Sequence, residues 1–152
     1  MPQFRVDRLR PDAEVELPAA ESRHAMKSLR LVPGDRVTLF DGSGDTCDAE
    51  ILRVSGSRVV ARAGPRRPAA PGATIVVASA LPKGKRLGWM IQKLAELGVA
   101  RFVPVAFQRS VVRWSASRAG KMEKIAVEAA KQSGRATFLE FDPECRVEDL
   151  AA

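Results

Sequence analysis

Cysteine and histidine are scarce in this sequence, and their scarcity excludes several kinds of site. Cys47 and Cys145 are the only cysteines in 152 residues, and neither lies near other sulfur or imidazole ligands. A disulfide framework and a zinc site are therefore not predicted, and a reducing cytoplasm is the expected location. His24 is the only histidine, so metal-dependent hydrolysis and a serine–histidine nucleophile both lack the residues they need.

Long apolar runs and nucleotide-binding glycine motifs are also missing. No apolar run approaches the length of a membrane span, and the first residues lack the apolar core of a secretory signal, so we expect a soluble protein without a membrane partner. The "PKGKR" segment lacks the second glycine and the Gly-Lys-Ser/Thr ending of a P-loop, and no G-x-G-x-x-G follows a strand. Nucleotide hydrolysis and dinucleotide binding are thus left without a motif.

Positive charge is plentiful and is concentrated in one region. The formal net charge is +7. Residues 83–135 contain twelve lysines and arginines against three acids, whereas residues 136–152 contain five acids and one arginine. This clustering favours an anionic partner, above all a nucleic acid, over an evenly solvated basic surface.

The chain divides where its composition changes. Residues 63–73, "AGPRRPAAPGA", are rich in proline, alanine and glycine and predict a linker. Before it, alternating segments at Arg36 to Phe40 and Asp48 to Val54, together with "SRVVARA", predict short strands, and "AAESRHAMKSLRL" predicts one helix. Several short strands with one helix predict a small β-barrel over residues 1–70.

After the linker, strands and helices alternate. "TIVVASAL" predicts a strand buried on both faces, and Lys85 to Leu97 predicts a helix stopped by Gly98. Pro104 places the next strand, "VARFVPVAF", at a sheet edge or makes it end there. A second helix capped by Ser115 or Ser117, a third strand "ATFLEF" and the start of a helix at "VEDLAA" complete an α/β region over residues 74–152.

Basic residues follow the first two strands of this region. In open α/β sheets ligands bind at the carboxyl ends of strands. The cations expected there are Lys83, Lys85, Arg86, Arg109 and Arg113, and together they predict a groove for a phosphate backbone. Taken singly, each of these side chains is better explained as a charge that keeps a loop solvated.

Three ring-bearing residues have structural as well as functional interpretations. His24 is interpreted first as a helix residue that packs on the barrel or is exposed, and otherwise as a stacking or phosphate contact to RNA. Trp89 and Trp114 are predicted to be packing anchors rather than platforms for base stacking.

A longer set of motifs resembles a known family, the SPOUT-class 16S ribosomal RNA uracil-N(3) methyltransferases. The resemblance rests on "RHAMKSLRL", "GDRVTLFDGSG", "PKGKRLGWMIQKLAELGVARFVPV", "QRSVV" and "KIAVEAAKQSGR". It implies an α+β chain of two domains: a PUA-like RNA-binding barrel, and the N-terminal part of a Rossmann-like domain that is knotted in the full family. The implied activity is S-adenosylmethionine-dependent methylation of a uridine at N(3), performed by a homodimer on 16S ribosomal RNA or the small ribosomal subunit.

The resemblance also implies roles for particular residues. Gln132, Ser133, Gly134 and Arg135 would lie near the methyl-transfer cleft, where Arg135 and Arg109 would hold RNA phosphate or the target uracil. His24 and Arg30 match positions on the RNA-facing side of the barrel. No general base is identified, so the catalytic residues are unknown.

One departure from the family pattern sets an alternative. Family members continue into knot loops of the "GPEGG" and "ILR-ETA" types that wrap the methyl donor, and neither type occurs here. The chain is therefore expected to represent the first two-thirds of such an enzyme, to contain no donor-binding residues, and to be inactive alone. The alternatives are a non-catalytic RNA-binding module and a basic α/β protein without an RNA function.

Overall fold

A computed structural model describes residues 1–69 and 73–151 of the chain. The chain forms two compact units, Met1–Pro71 and Gly72–Ala152, each with a hydrophobic core of its own. Each unit contains one sheet, and the two sheets share no strand in the described residues. In the same residues, no helix combines the length and the apolar character needed to cross a bilayer.

The first unit is built on five strands. They pair in the order β1-β3-β4-β5-β2, with β1 parallel to β3 and the other neighbours antiparallel. Its elements are β1 (Gln3–Arg5), β2 (Glu14–Glu16), α1 (Ala19–Arg23), a π-helical turn (His24–Ser28), β3 (Arg36–Phe40), β4 (Thr46–Ser55) and β5 (Arg58–Arg67). Backbone pairing among the described residues does not join β1 to β2, so the strands of the predicted small barrel form a five-stranded sheet with two ends.

Alternation along the strands creates the core of the first unit. Val37 and Leu39 of β3, Ile51 of β4 and Val59 of β5 are completely buried, while polar residues between them point outward. Phe4 of β1 joins them on the same side. The period-two pattern in the sequence thus predicts the buried face correctly, because successive side chains of a strand point to opposite faces.

The predicted linker is wrong over its first part, because residues 63–67 belong to β5. Pairing continues from Ala49↔Ala63 to Cys47↔Arg66, so Asp48 opposes both Gly64 and Pro65 in a β-bulge. A bulge accommodates proline because it interrupts the ladder in which an N–H would be needed. Residues 70–72 of the predicted linker lie outside the described residues.

The second unit alternates strands and helices as predicted. Strands pair in parallel in the order β6-β7-β8, and β9 also pairs with β7. The elements are β6 (Val76–Ser79), α2 (Lys85–Leu97), β7 (Arg101–Ala106), α3 (Ala116–Ser133), β8 (Glu140–Phe141), β9 (Cys145–Arg146) and a 3₁₀-helix (Val147–Ala151). Leu87 and Ile91 of α2 pack with Met122 and Ala126 of α3 and with Phe102 of β7.

The ends of both long helices follow from sequence signals. Ser115 caps α3, since its Oγ accepts a hydrogen bond from the backbone N–H of Arg118 at 3.3 Å. Gly98 and Gly134 end α2 and α3 in the left-handed conformation, with φ of 80° and 70°. Glycine suits these positions because it has no Cβ to clash with the backbone there.

Three predictions about the second sheet are wrong. β6 is not buried on both faces: it lies at the end of the sheet, and Val76 is 42% exposed. "ATFLEF" contributes only Glu140–Phe141 as a strand. Pro104 lies inside the central strand and is almost fully buried, not at an edge.

The surroundings of Pro104 explain how a central strand tolerates it. The N–H of Asp142 donates to the carbonyl of Phe102 at 3.0 Å, so the even-numbered positions of β7 turn their backbone groups toward β8. Pro104 is the next such position, and it faces the interval between β8 and β9, which pair with residues 101–102 and 105–106. A missing N–H costs little where the neighbouring strand is interrupted.

Ser22 allows a stability prediction for the first unit. Its buried Oγ donates to the carbonyl of Leu17 at 2.9 Å and accepts the N–H of Val59 at 3.3 Å. Ser22→Ala leaves two buried backbone groups unpaired, so we expect a loss of about 1–3 kcal/mol in the unfolding free energy of this unit. Tryptophan fluorescence does not report on this unit, because both tryptophans lie in the second unit. The suitable measurement is therefore the protection of β5 amides from hydrogen exchange.

Ser57 provides the matched control for Ser22. It is exposed in the turn between β4 and β5. Ser57→Ala should change protection by less than about 0.5 kcal/mol. Equal effects of the two substitutions would contradict the role assigned to Ser22.

Candidate nucleic-acid interface

One edge of the second sheet collects exposed cations. Because β6 and β7 are parallel, the loops that follow them lie at the same edge. Lys83 and Arg109 lie in those loops, and Lys85 and Arg86 are the first two residues of α2. All four are exposed and without an ion-pair partner among the described residues. We call these four residues the basic edge. Unpaired cations on one edge attract a polyanion and can displace its counterions.

Arg113 also follows β7, but it already forms an ion pair. Its Nε lies 3.2 Å from Oε1 of Glu144, whose other oxygen accepts the N–H of Trp114 at 2.9 Å. Glu144 comes from the segment just before β9, so folding returns an acid of the C-terminal region to this loop. Arg113 therefore contributes less net positive charge than its place in the sequence predicts.

Arg135 lies at the other edge of the sheet. It precedes β8, which is parallel to β7, so it lies near the amino ends of the strands whereas Arg109 follows a carboxyl end. A strand of six residues such as β7 separates the two edges by about 20 Å. The structure thus does not bring Arg135, or the neighbouring Gln132, Ser133 and Gly134, together with the basic edge within one chain.

The guanidinium of Arg135 instead binds the end of α2. Its Nε donates to the carbonyl of Glu96 and its Nη2 to the carbonyl of Leu97, each at 3.1 Å. These carbonyls lie in the last turn of α2, where helix geometry leaves them without partners. Ser133 Oγ donates to the carbonyl of Ala129 at 2.8 Å, and Gly134 then turns the chain. Polar residues gather where α3 ends because they join the ends of two helices.

A groove of about 420 Å³ lies between α2 and α3. Its floor is formed by Ile125 and Ala129, and Gln92, Glu96 and Gln132 are among the polar residues along its rim. Glu96 accepts hydrogen bonds from Lys93 Nζ at 2.6 Å and Gln92 Nε2 at 2.8 Å. Those two donors, Lys93 first, hold the pKa of the Glu96 carboxyl below its ordinary value. An ionised carboxylate with both oxygens engaged is a poor proton acceptor.

The two candidate residues of the first unit differ in exposure. His24 is half-buried and meets the ring of Phe4 edge-to-face, with 6.1 Å between ring centroids, and its contact with RNA stays a prediction. Arg30 is exposed and has a φ of 54°, in the left-handed region that disfavours residues with a Cβ. The N–H of Leu31 bonds the carbonyl of Ala25 at 3.0 Å, which closes the helix end around Arg30.

The two tryptophans have opposite environments. Trp114 stacks on Phe141 at 5.5 Å and meets Phe102 edge-to-face at 6.4 Å, as a packing anchor should. Trp89 is 64% exposed, so its prediction as an anchor is wrong. The helical pattern contained the signal, since it places Trp89 on the polar side of α2, opposite Leu87 and Ile91.

The described residues include no cluster of three potential metal-ligating side chains. Cys47 is buried and Cys145 half-buried, and both are free thiols. Burial raises the pKa of the Cys47 thiol, which disfavours the reactive thiolate.

Two family models and a curated relative match this chain. An RNA methyltransferase domain model matches residues 69–152, and an RNA methyltransferase PUA domain model matches residues 17–63. The chain is 35% identical over 122 residues to the ribosomal RNA small subunit methyltransferase E of Bacillus subtilis, covering 76% of this chain and 47% of that protein. It thus spans about half the length of this relative.

Solved structures of ribosomal RNA methyltransferases also resemble this chain. The chain resembles the ribosomal RNA small subunit methyltransferase E of Neisseria gonorrhoeae bound to S-adenosyl methionine, with a TM-score of 0.87 and 29% identity over 99% of this chain and 64% of that one. A probable rRNA-methyltransferase from Porphyromonas gingivalis matches with a TM-score of 0.86 and 29% identity, over 100% of this chain and 63% of that one.

The contact between Arg135 and α2 predicts an unusual coupling with Gly98. A Cβ added at Gly98 would lie 2.8 Å from Arg135 Nη1, at a residue whose φ is 80°. Gly98→Ala should therefore destabilise the second unit by about 1–3 kcal/mol, through backbone strain and displacement of the guanidinium. Urea unfolding followed by tryptophan fluorescence reports this unit.

A double-mutant cycle separates the two causes. In an Arg135→Ala background the steric part disappears, so Gly98→Ala should cost at least about 0.5 kcal/mol less there. Gly120 of α3 is the matched control, because its added Cβ meets nothing within 4 Å and Gly120→Ala should stabilise by about 0.5–1 kcal/mol. Strict additivity of Gly98→Ala and Arg135→Ala would contradict the contact between Arg135 and the end of α2.

Proposed function

The chain belongs to the RNA methyltransferase family, and from that membership we propose that it forms part of an S-adenosylmethionine-dependent enzyme that methylates a uridine of 16S ribosomal RNA at N(3). The complete protein is proposed to act as a homodimer on the RNA or on the small ribosomal subunit. The similarity to small subunit methyltransferases E supports the ribosomal RNA as substrate.

The basic edge carries the RNA-binding part of this proposal. Lys83, Lys85, Arg86 and Arg109 are exposed, unpaired in the described structure and close to one another by strand topology. Phosphate contacts of this kind supply affinity and fix the position of the nucleic acid without reading its sequence. In the first unit, exposed Arg30 is proposed as a further phosphate contact, while His24 supports the fold through Phe4.

The groove between α2 and α3 is the cavity of the second unit to compare with the shape and charge of the methyl donor. S-adenosylmethionine would supply a sulfonium methyl group to the uracil nitrogen. The groove between α2 and α3 is open and is lined by two carboxylates. That of Glu96 already accepts two hydrogen bonds, and that of Glu128 lies 3.3 Å from Lys131 Nζ. These residues do not enclose an adenosine, so we assign no donor-binding residue to the described chain, and the role of the Gln132–Arg135 corner at a cleft stays a prediction.

The remaining chemical task of these residues is positioning. Methyl transfer needs the uracil nitrogen in line with the donor, and fixing the RNA backbone supplies part of that alignment. Arg109 is proposed to hold RNA near the target base, where a cation also favours the deprotonated ring. Arg135 acts differently, because its bonds to the carbonyls of Glu96 and Leu97 position α2 and hence the residues at its start.

The basic edge predicts a specific salt dependence for RNA affinity. Replacing Lys85, Arg86 or Arg109 singly by alanine should weaken binding to a 16S rRNA fragment. Each replacement should also reduce the slope of log affinity against log salt concentration by about 0.7–0.9, since one phosphate contact is lost. Fluorescence anisotropy over a range of salt concentrations measures both quantities.

Two other arginines serve as controls. Arg113→Ala should reduce the slope less, because Glu144 already neutralises its guanidinium. Arg101 is exposed at the opposite edge of the sheet, 3.5 Å from Asp142, and Arg101→Ala should leave affinity nearly unchanged. An affinity independent of salt, or an equal effect of Arg101→Ala, would refute the basic edge.

The donor-binding part is tested by calorimetry and nucleoside analysis. Titration of S-adenosylmethionine into the 152-residue chain should give no stoichiometric binding, and incubation with 16S rRNA and donor should yield no 3-methyluridine by mass spectrometry. Micromolar, stoichiometric binding would show that these residues form a donor site. RNA binding without methyl transfer by a longer protein that contains this chain would favour the alternative, a non-catalytic RNA-binding module.

A further inference from the structure

Trp89 is the least expected residue on the surface of the second unit. It lies one turn into α2, near the basic edge, and 64% of it is exposed. It is not a member of the core cluster formed by α2, α3 and the sheet. A large aromatic side chain left in solvent forgoes the free energy of burial, and such surfaces commonly serve recognition.

The neighbours of Trp89 on the helix surface are mostly cationic. Residues three and four positions away share its face of the helix. These are Lys85, Arg86, Gln92 and Lys93. Lys93 is paired with Glu96 at 2.6 Å, whereas Lys85 and Arg86 have no ion-pair partner in the described structure. The indole is therefore bordered by two unpaired positive charges on the side nearer the start of α2.

This combination distinguishes between two kinds of partner. The centre of a protein–protein interface is depleted in lysine, because burying an unpaired ammonium is costly. A nucleic acid offers both a flat aromatic base for the indole and phosphates for the neighbouring cations. The charge pattern thus favours RNA over a second protein surface.

We propose that Trp89 is a stacking platform for an unpaired nucleobase of the RNA, with Lys85 and Arg86 binding the phosphates beside that base. The proposal rests on the proposed function insofar as RNA is the partner, and it adds a contact that electrostatic attraction alone does not provide. Such a platform takes single-stranded RNA and rejects a duplex, whose bases are already stacked on one another.

The test compares the unaltered 152-residue chain with Trp89→Ala and Trp89→Phe, using a single-stranded oligouridine and an RNA duplex of equal length. Trp89→Ala should lower affinity for the single strand about 5- to 100-fold, with little effect on the duplex. Trp89→Phe should retain most of the affinity. The salt slope should be unchanged in Trp89→Ala but reduced by about 0.7 in Lys85→Ala, because only the lysine releases a counterion.

Intrinsic fluorescence supplies a direct signal for stacking. Oligouridine should quench emission from the unaltered chain, and this quenching should vanish in Trp89→Ala although Trp114 is still present. Leu97 is the matched apolar control, since it is 69% exposed two turns further along α2. Leu97→Ala should leave both affinity and quenching unchanged.

Each contrary result has a distinct meaning. Salt-dependent RNA binding that Trp89→Ala does not alter, without quenching in the unaltered chain, would overturn the platform and leave the basic edge intact. Absence of any RNA binding would overturn both proposals. If Trp89→Ala and Leu97→Ala both dissociate a dimer in sedimentation without affecting RNA affinity, the face is a contact between copies of the chain and the platform is wrong.

Discussion

The parallel register of β6 against β7 is the constraint on which the candidate surface depends. Pairing from Val76↔Arg101 to Ser79↔Pro104 makes both strands end at one edge, so the loops after them become neighbours despite more than twenty residues of separation. The same register sends α2 and α3 back to the opposite edge, where Arg135 binds the last carbonyls of α2. The parallel register therefore places the basic edge about 20 Å from the contact between Arg135 and the end of α2.

In the second unit, the distribution of charge along the sequence differs from the distribution of charge on the folded surface. The sequence places cations in residues 83–135 and acids after them, but folding pairs Asp142 with Arg101 and Glu144 with Arg113. Such exposed pairs add little stability. Their larger effect is on the field of the protein, because they neutralise Arg101 and Arg113 and leave the start of α2 and Arg109 among the cations without an ion pair in the described residues.

Local patterns in the sequence predict the elements whose signals are local. Lys85–Leu97, Arg36–Phe40 and the stop at Gly98 are found as predicted, and Ser115 is the cap out of the two serines predicted, because periodicity and capping depend on residues a few positions apart. Errors occur where a distant partner decides. Asp48 makes the bulge that admits Pro65 into β5, and the interval between β8 and β9 admits Pro104 into a central strand.

In the candidate site, too, the features that depend on local signals are predicted and those that depend on distant partners are not. The positions of the basic edge, just after β6 and β7, follow from strand order, which the alternating pattern predicts. The bonds of Arg135 to Glu96 and Leu97 span nearly forty residues, and no short-range signal indicates them. Trp89 is a different case, since its helical position predicts exposure while its residue type predicts burial, and the position proves decisive.

Conflicts between residue type and local environment are informative in both units. Most of a sequence agrees with its fold at every level, and the exceptions tend to occur at functional positions. Arg30 adopts a left-handed conformation that glycine would adopt at about 1–2 kcal/mol less strain, just beyond the residue that ends a π-helical turn. Trp89 stays exposed at the start of a helix whose other face buries Leu87 and Ile91. Stability alone would favour glycine at the first position and a polar residue at the second, and both positions are among those proposed to contact RNA.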